Sequence, residues 1–319
     1  MVPVDNRRQN AQVVALGGGH GLAASLGALK LLTDRVTAVV TVADDGGSSG
    51  RLRDEFAVLP PGDLRMALAA LCDDSEWGYT WRDVLQHRFQ GDGPLGGHAL
   101  GNLLIVSLWD LLDDTVGGLD LVGRLLNSRG RVLPMASTPL QIEAEVLGHD
   151  PSRPDELVTV RGQHLVASSR GRVQGVRLIP DDPGSPPETL AAVNEADWVL
   201  LGPGSWFTSV LPHVLVPCLR EALVTTSARK LLNLNLEMHT GETKGFRAQD
   251  HLESLVKHAP ELRIDVVLAD PKCVDDLQDL QRASAALGAE LVVSTVSTVG
   301  SHGQHDSLRL AAAYRDIFG

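Results

Sequence analysis

A polar, glycine-rich segment, residues 41–53 (TVADDGGSSGRLR), carries the side chains best suited to chemistry. It follows an apolar β-type run and combines two carboxylates, Asp44 and Asp45, with two hydroxyls, Ser48 and Ser49. Glycines bring backbone N–H groups close to anionic oxygens, and hydroxyls and arginines add donors. The carboxylates could orient a ribose, act as a base, or bind Mg²⁺ together with phosphate oxygens. This composition favours a loop that holds a phosphorylated ligand and argues against a stable helix; an ordinary surface loop is the alternative.

Two further glycine loops follow other predicted strands. They are Gly17-Gly18-Gly19-His20-Gly21 and Gly202-Pro203-Gly204-Ser205. Each leads into a predicted helix, and the N–H groups of a helix N-terminus bind anions. We expect Ser205 to cap its helix and Thr208 to face the same anion. Tight turns and caps without a ligand remain the alternative for both loops.

The first loop also fits a relaxed dinucleotide fingerprint, GxGxxA, over residues 19–24. Asp44 stands 25 residues after Gly19, where a carboxylate that binds ribose belongs. A nicotinamide-dependent dehydrogenase is therefore a rival interpretation. The three consecutive glycines and the doubled carboxylate count against it.

Four more polar residues are candidates for the site. They are Arg65, His98, Asn102 and Asn235. Arg65 could reach a ligand or pair with Asp63 at a helix start. His98 and Asn102 lie one helical turn apart behind a glycine pair, and an asparagine in an apolar helix needs hydrogen-bond partners. Asn235 follows a predicted strand and could contact a base or sugar, or lie in a polar loop.

The order of apolar runs predicts the elements that position these residues. Residues 12–16 and 36–42 are predicted strands on either side of a helix, which opens a doubly wound, mainly parallel sheet. Alternating strands and helices return over 198–318, beginning with a predicted strand over 198–201 and closing with a predicted helix over 307–318. Short runs joined by Pro, Gly and Asp turns predict an inserted antiparallel β segment near 131–180. We predict a single α/β domain over 1–319, with the ligand site at the carboxyl ends of the strands.

Composition limits the classes of function. The chain has 319 residues, of which 28 are basic and 40 acidic, so its net charge is −12. This charge argues against nucleic acid or an anionic membrane as the main partner. The three cysteines lack metal-ligand spacing, so neither disulfides nor a structural metal are expected. Residues 1–12 contain no apolar signal segment and no run is long enough to span a membrane, so we expect a cytoplasmic protein.

The motifs give the sequence a specific resemblance. In order, they are ALGGGHGL (15–22), TVADDGGSSGRLR (41–53), PPGDLR (60–65), GHALGNLL (97–104), GPGSWFTSVLPHVLVP (202–217) and GETKGF (241–246). Together they resemble the gluconeogenesis factor family (YvcK-like proteins, UPF0052). That family is itself similar to 2-phospho-L-lactate transferase (CofD-like proteins).

The resemblance implies a Rossmann-like fold, a cytoplasmic location, a homodimer and a nucleotide ligand. In the gluconeogenesis factor branch it implies a UDP-sugar such as UDP-N-acetylglucosamine, and a role in cell shape and cell-wall precursor synthesis on gluconeogenic carbon sources, with a regulated protein partner. The transferase branch moves a phospholactyl group from a guanylyl carrier to a deazaflavin alcohol. Carried over by motif, the ligand-facing residues are Gly18, Gly19, His20, Gly21, Asp44, Asp45, Ser48, Asn102, Gly204 and Ser205.

Two consequences of the resemblance concern individual positions and cofactors. His20 stands where relatives often carry threonine, so an imidazole replaces a hydroxyl beside the expected phosphate. No cofactor is required by the sequence itself, and Mg²⁺ is expected only together with a bound nucleotide. The sequence leaves open whether the protein only binds its ligand or also turns it over.

Overall fold

The computed structural model describes residues 11–238, 241–300 and 303–319. The prediction of no signal segment in residues 1–12 therefore lies almost entirely outside the described residues. The strands are β1 (Val13–Gly17), β2 (Val36–Val40), β3 (Gly130–Pro134), β4 (Gln141–Leu147), β5 (Leu157–Arg161), β6 (Arg172–Ile179), β7 (Trp198–Leu201), β8 (Arg229–Asn233), β9 (Val266–Ala269) and β10 (Glu290–Val293). The helices are α1 (Gly19–Leu29), α2 (Gly47–Phe56), α3 (Pro61–Leu71), α4 (Glu76–Gln86), α5 (Leu100–Leu112), α6 (Thr115–Leu125), α7 (Gln163–Ala167), α8 (Pro187–Glu195), α9 (Pro212–Leu215), α10 (Pro217–Thr225), α11 (Ala248–His258), α12 (Leu277–Ala286) and α13 (Ser307–Phe318).

Seven of the strands form one parallel sheet in the order β10-β9-β8-β7-β1-β2-β3. The central strands β1 and β7 are buried over their whole length, because helices cover both faces of a parallel sheet. The strand order reverses between β1 and β7, which is the doubly wound, Rossmann-like arrangement. A crevice for a ligand opens at the carboxyl ends of the strands beside such a reversal. The predicted α/β fold is confirmed.

The inserted segment forms a second, antiparallel sheet in the order β5-β4-β6. Its strands span residues 141–179, within the predicted range. The strand β3, which the prediction grouped with the insertion, instead pairs in parallel with β2 at the edge of the main sheet. The insertion is tied to the main sheet where the Leu140 N–H donates to the Val42 carbonyl.

The prediction that residues 41–53 form a loop without a helix is wrong for its second half. Helix α2 starts at Gly47, after Gly46 in an extended conformation. Leu52 is buried, and Ser48 and Ser49 are buried near the helix start. Tertiary contacts therefore offset the poor helix propensity of this glycine–serine sequence.

The C-terminal helix α13 packs against α1 and extends the buried core. The Tyr314 hydroxyl is buried and lies 3.0 Å from Ser25 Oγ. It also accepts a 3.0 Å hydrogen bond from Nδ2 of Asn233, at the end of β8. This contact joins the last helix to the first helix and to the central sheet. Within the described ranges, no helix is both long and apolar enough to cross a membrane.

Candidate functional site

Three helix N-termini meet at the carboxyl ends of β1 and β2. The Gly19 N–H, at the start of α1, donates to the carboxyl of Asp63 in the first turn of α3. A Cβ placed on Gly62 would lie 3.2 Å from Asp44 Oδ2 and would overlap Ser49, in the first turn of α2. The starts of α1, α2 and α3 therefore surround two carboxylates, Asp44 and Asp63.

Asp63 was missed as a site residue. Burial, reinforced by the charge of Asp44, raises the pKa of Asp63 from 3.8 to about 7, although the Gly19 N–H and Arg65 act in the opposite direction. Its position in PPGDLR, next to a glycine at a helix start, was the available signal. The sequence suggested an ion pair with Arg65. In the structure the Arg65 guanidinium instead donates to Asn102 and Gln86.

The two adjacent aspartates face different parts of the molecule. Asp44 is half-buried, and its Oδ1 accepts a 3.0 Å hydrogen bond from the Gly46 N–H. Asp45 is exposed, and its Oδ1 accepts a 3.0 Å hydrogen bond from the His164 N–H at the start of α7. Asp44 thus belongs to the region where the three helix N-termini meet, the candidate site. Asp45 connects the candidate site to the inserted β segment.

A chain of buried polar side chains starts from Ser48, in the first turn of α2. Ser48 Oγ lies 3.0 Å from His98 Nδ1 and accepts a 3.0 Å hydrogen bond from Asn102 Nδ2. Asn102 Oδ1 accepts from Arg65 Nε at 2.9 Å. All four side chains are at most 5% exposed. The structure therefore brings together four predicted site residues, from α2, α3, the loop before α5 and α5 itself.

The first glycine loop contributes close packing as well as a helix N-terminus. Gly19 has a φ of 57°, a conformation that favours glycine, and His20 is exposed at the start of α1. Gly18 packs against the side chains of Thr41 and Asp63. Gly21 lies against the backbone of the third loop, and a Cβ there would come within 2.8 Å of the Gly204 Cα. The absence of a side chain at Gly21 thus allows the backbones of α1 and the third glycine loop to pack closely.

The third glycine loop differs from its prediction. Asn235 braces Gly204 twice: its Oδ1 accepts from the Gly204 N–H and its Nδ2 donates to the Gly204 carbonyl, both at 2.8 Å. Ser205 precedes a π-helical turn, Trp206–Val210, but its exposed side chain makes no capping hydrogen bond. Thr208 is buried beside Glu242 rather than exposed at the loop surface. The expected cap by Ser205 is therefore wrong.

Glu242, within the GETKGF segment, takes the capping role that was expected of Ser205. Its Oε1 accepts a 3.0 Å hydrogen bond from the Phe207 N–H, in the first turn of the π-helical segment. Burial raises the pKa of Glu242 from 4.5 to about 7, opposed by this N–H, by Thr208 and by the Trp206 N–H. The loop therefore has a carboxyl of the protein itself at the position where an anion was expected.

No group of three or more His, Cys, Asp or Glu residues that could hold a metal occurs in the described part of the chain. Mg²⁺ in nucleotide sites is commonly held by one or two carboxylates together with phosphate oxygens, and does not need a complete protein cage. Asp44 and Asp63 are the carboxylates that fit this requirement. Burial and the charge of Asp44 raise the pKa of Asp63, so a cation bound between the two would favour the ionised form of both.

Comparisons with known proteins agree with this architecture. A family model described as 2-phospho-L-lactate transferase CofD matches residues 13–298. A "Putative gluconeogenesis factor" of Mycobacterium tuberculosis (strain H37Rv) is 51% identical over 303 residues, which cover 94% of this chain and 88% of that protein. The gluconeogenesis factor of Bacillus subtilis (strain 168) is 37% identical over 268 residues, which cover 84% of this chain and 81% of that protein.

A solved structure gives the same result at the level of the fold. The crystal structure of a UPF0052 family member from Bacillus halodurans superposes with a TM-score of 0.83 at 32% identity. The superposition covers 95% of this chain and 98% of the other. The chain therefore belongs to the CofD/UPF0052 family, whose members include proteins named gluconeogenesis factor.

Proposed function

We propose that the protein is a nucleotide-binding regulatory protein of the gluconeogenesis factor type, and that its ligand is a UDP-sugar. The observation that carries the proposal is the meeting of the α1, α2 and α3 N-termini around Asp44 and Asp63. Such N-termini present N–H donors and a partial positive charge to phosphate oxygens. Their position beside the reversal of strand order is where nucleotides bind in this fold class.

The charges at the candidate site favour a cation bound with the ligand. A diphosphate next to Asp44 and Asp63 would be repelled if both carboxylates were ionised, and the mutual effect of the two is already visible in the raised pKa of Asp63. Mg²⁺ bound with the nucleotide would supply the charge that offsets this repulsion. Asp44 and Asp63 would hold it, while the first turns of α1 and α2 would donate to the phosphates.

A second candidate is a transferase that uses a nucleotide-activated donor. Its support is the match of residues 13–298 to the family model described as 2-phospho-L-lactate transferase. In this case Asp44 would orient the attacking hydroxyl, and Asp63, with a pKa near 7, has the basicity to accept its proton. The two candidates differ in whether a second substrate approaches the phosphate.

The cellular part of the proposal rests on the named relatives. Because they are named gluconeogenesis factors, we propose that this protein acts when carbon is supplied by gluconeogenesis. From the resemblance of its motifs to that family, we further propose a cytoplasmic homodimer that controls cell-wall precursor synthesis and cell shape through a protein partner. Expression in a strain that lacks its own gluconeogenesis factor tests this part. Restored growth and cell shape on a gluconeogenic carbon source are the expected result.

Binding measurements test the molecular part. Thermal unfolding and calorimetric titration would compare UDP-N-acetylglucosamine, GDP, NAD and NADP, each with and without Mg²⁺. We expect binding of the UDP-sugar that depends on Mg²⁺ and is lost in Asp44→Asn. Asp54→Asn is the matched control, because Asp54 is an exposed aspartate on α2, the helix that begins within the polar segment.

The outcomes separate the candidates. Selective binding of NAD or NADP would overturn the proposal in favour of the dehydrogenase interpretation. Phospholactyl transfer to a deazaflavin alcohol that is lost in Asp44→Asn would favour the transferase. Binding of the UDP-sugar with equal affinity by wild type and Asp44→Asn would show that the ligand lies elsewhere.

A further inference from the structure

The buried chain from Arg65 to His98 has only one possible direction of hydrogen bonding. Arginine donates hydrogen bonds and does not accept them. Arg65 Nε donates to Asn102 at 2.9 Å, so the amide atom facing it is the oxygen. The Asn102 amide nitrogen must then face Ser48 Oγ, 3.0 Å away, and donate to it. Arg65 thereby fixes the orientation of the asparagine.

The same reasoning determines which atom donates in the hydrogen bond between Ser48 and His98. A hydroxyl oxygen has two acceptor lone pairs and one proton. Ser48 Oγ accepts from Asn102 Nδ2 at 3.0 Å and from the Ala99 N–H at 3.4 Å. Its proton is then directed to its remaining neighbour, His98 Nδ1, at 3.0 Å. His98 Nδ1 is therefore an acceptor, and a neutral imidazole in this state carries its proton on Nε2.

The surroundings of His98 keep the ring neutral and favour an anion near it. The charged groups that act on His98 are Arg51, Glu55 and Arg88; burial and the two arginines lower its pKa, and Glu55 alone acts in the opposite direction. Arg51 donates to the Gly96 carbonyl at 2.8 Å, which fixes one guanidinium beside the loop that carries His98. Among the described residues, His98 Nε2 has no hydrogen-bond partner within the protein.

Arg88 fixes the second cation in the same way. Its Nη1 donates to the Gly97 carbonyl at 3.0 Å. Two guanidiniums thus hold the two residues that precede His98, and each uses only some of its N–H donors in doing so. A neutral N–H donor with two cations beside it, in a protein of net charge −12, is a local environment for an anionic oxygen.

We infer that His98 is a specificity-determining residue whose Nε2–H donates to a phosphoryl oxygen of the ligand, and that the Arg65–Asn102–Ser48 chain holds it as a fixed, neutral donor. This inference deepens the proposed function and rests on it for the identity of the ligand. It assigns His98 the role of a donor and excludes an acid–base role. Arg65, Asn102 and Ser48 are positioning residues in this arrangement.

Nuclear magnetic resonance of the ligand-free protein tests the tautomer. A long-range proton–nitrogen spectrum of the imidazoles at pH 7 should show His98 protonated at Nε2 only, and His98→Gln identifies its signal among the 11 histidines. Addition of inorganic pyrophosphate together with Mg²⁺ should move the Nε2 proton downfield. A proton on Nδ1, an imidazolium at pH 7, or no response to pyrophosphate would overturn the inference.

Two variants test the donor through affinity. In glutamine the side-chain nitrogen can reach the position of Nε2, whereas the asparagine amide is one bond too short. We therefore expect His98→Asn to weaken pyrophosphate and UDP-N-acetylglucosamine binding about 10- to 100-fold, the worth of a hydrogen bond to a charged group, and His98→Gln to restore most of the affinity. Equal affinity of His98→Asn and wild type would refute the role of the donor.

The same experiments separate this inference from the proposed function. If pyrophosphate shifts the Nε2 proton but no UDP-sugar binds, the ligand assignment fails and the donor role stands. If the UDP-sugar binds wild type and both variants equally, the donor role fails and the ligand assignment stands. Circular dichroism of each variant establishes that it is folded, and the wild-type spectrum decides the tautomer even if a variant is not.

Discussion

The packing of Gly21 against the third glycine loop gives a prediction with a matched control on the same helix. In Gly21→Ala the new Cβ would lie 2.6 Å from the Pro203 carbonyl carbon and 2.8 Å from the Gly204 Cα. These are backbone atoms, so no rotation of a side chain can relieve the overlap. In Gly27→Ala, six residues further along α1, the nearest atom is Ser307 Oγ at 3.5 Å, an ordinary van der Waals distance.

The two substitutions should therefore change the free energy of unfolding in opposite directions. Replacing glycine by alanine within a helix gains about 0.5–1 kcal/mol. Gly27→Ala should show this gain. In Gly21→Ala the overlap costs about 1–3 kcal/mol, as overpacking does, and this outweighs the gain, with a net loss of up to about 2.5 kcal/mol.

Urea unfolding followed by circular dichroism measures both values under the same conditions. A ligand titration in parallel should show weaker binding for Gly21→Ala, because α1 and the third loop must move apart at the site, and unchanged binding for Gly27→Ala. The reasoning is refuted if Gly21→Ala is as stable as Gly27→Ala, since the two backbones would then not be in contact.

The remaining predictions concern buried polar groups, and urea unfolding at several pH values checks all of them. Because the pKa of Asp63 is raised from 3.8 to about 7, the folded state binds more protons than the unfolded state between about pH 4 and pH 7, and stability falls as the pH rises through this range. The difference in stability between Asp63→Asn and wild type should therefore be more favourable to the variant at pH 8 than at pH 5. A difference that does not vary with pH would contradict this. Glu242→Gln should behave with the same sign, because the pKa of Glu242 is raised from 4.5 to about 7 and a glutamine oxygen can still accept the backbone N–H. Tyr314→Phe leaves buried groups of Ser25 and Asn233 without this partner and should cost about 1–3 kcal/mol; an unchanged stability would show that the hydroxyl is not buried as described.

The sequence predicts the regular elements well where periodicity and caps agree. The strand over 198–201 and the helix over 307–318 have the predicted bounds. The first is a short apolar run that is buried on both faces. The second is periodic and starts after Asp306, whose side chain accepts from the Leu308 and Arg309 N–H groups.

Helix α2 could not be predicted because its stability is not local. Its first turn is Gly47-Ser48-Ser49-Gly50, a sequence with low helix propensity. The contacts that hold it come from residues far along the chain: His98 lies 50 residues and Asn102 lies 54 residues from Ser48. No pattern within the segment reveals these partners, so its glycines and serines resembled a loop.

The candidate site shows the same limit. The sequence located the three glycine loops, and two of them do lie at the carboxyl ends of β1 and β2 where a ligand is expected. It could not show that the donors of the third loop are already paired, because their partners Asn235 and Glu242 are 31 and 35 residues away from them. It also could not distinguish Asp44 from Asp45, since neighbouring residues in a turn can face different elements.

Two carboxyls in this protein have a pKa near 7, and their surroundings give them different roles. Glu242 is buried, and the groups around it are N–H donors and a hydroxyl of the loop that it caps. Its surroundings therefore indicate a structural role. Asp63 instead faces a second carboxylate, the half-buried Asp44, at the start of three helices. Each of the two accepts a backbone N–H, Asp63 from Gly19 and Asp44 from Gly46, but a pair of like charges still costs folding free energy whenever both are ionised. A cation bound with an anionic ligand at the candidate site would remove that cost, which is why we propose that Asp63, and not Glu242, belongs to the ligand site.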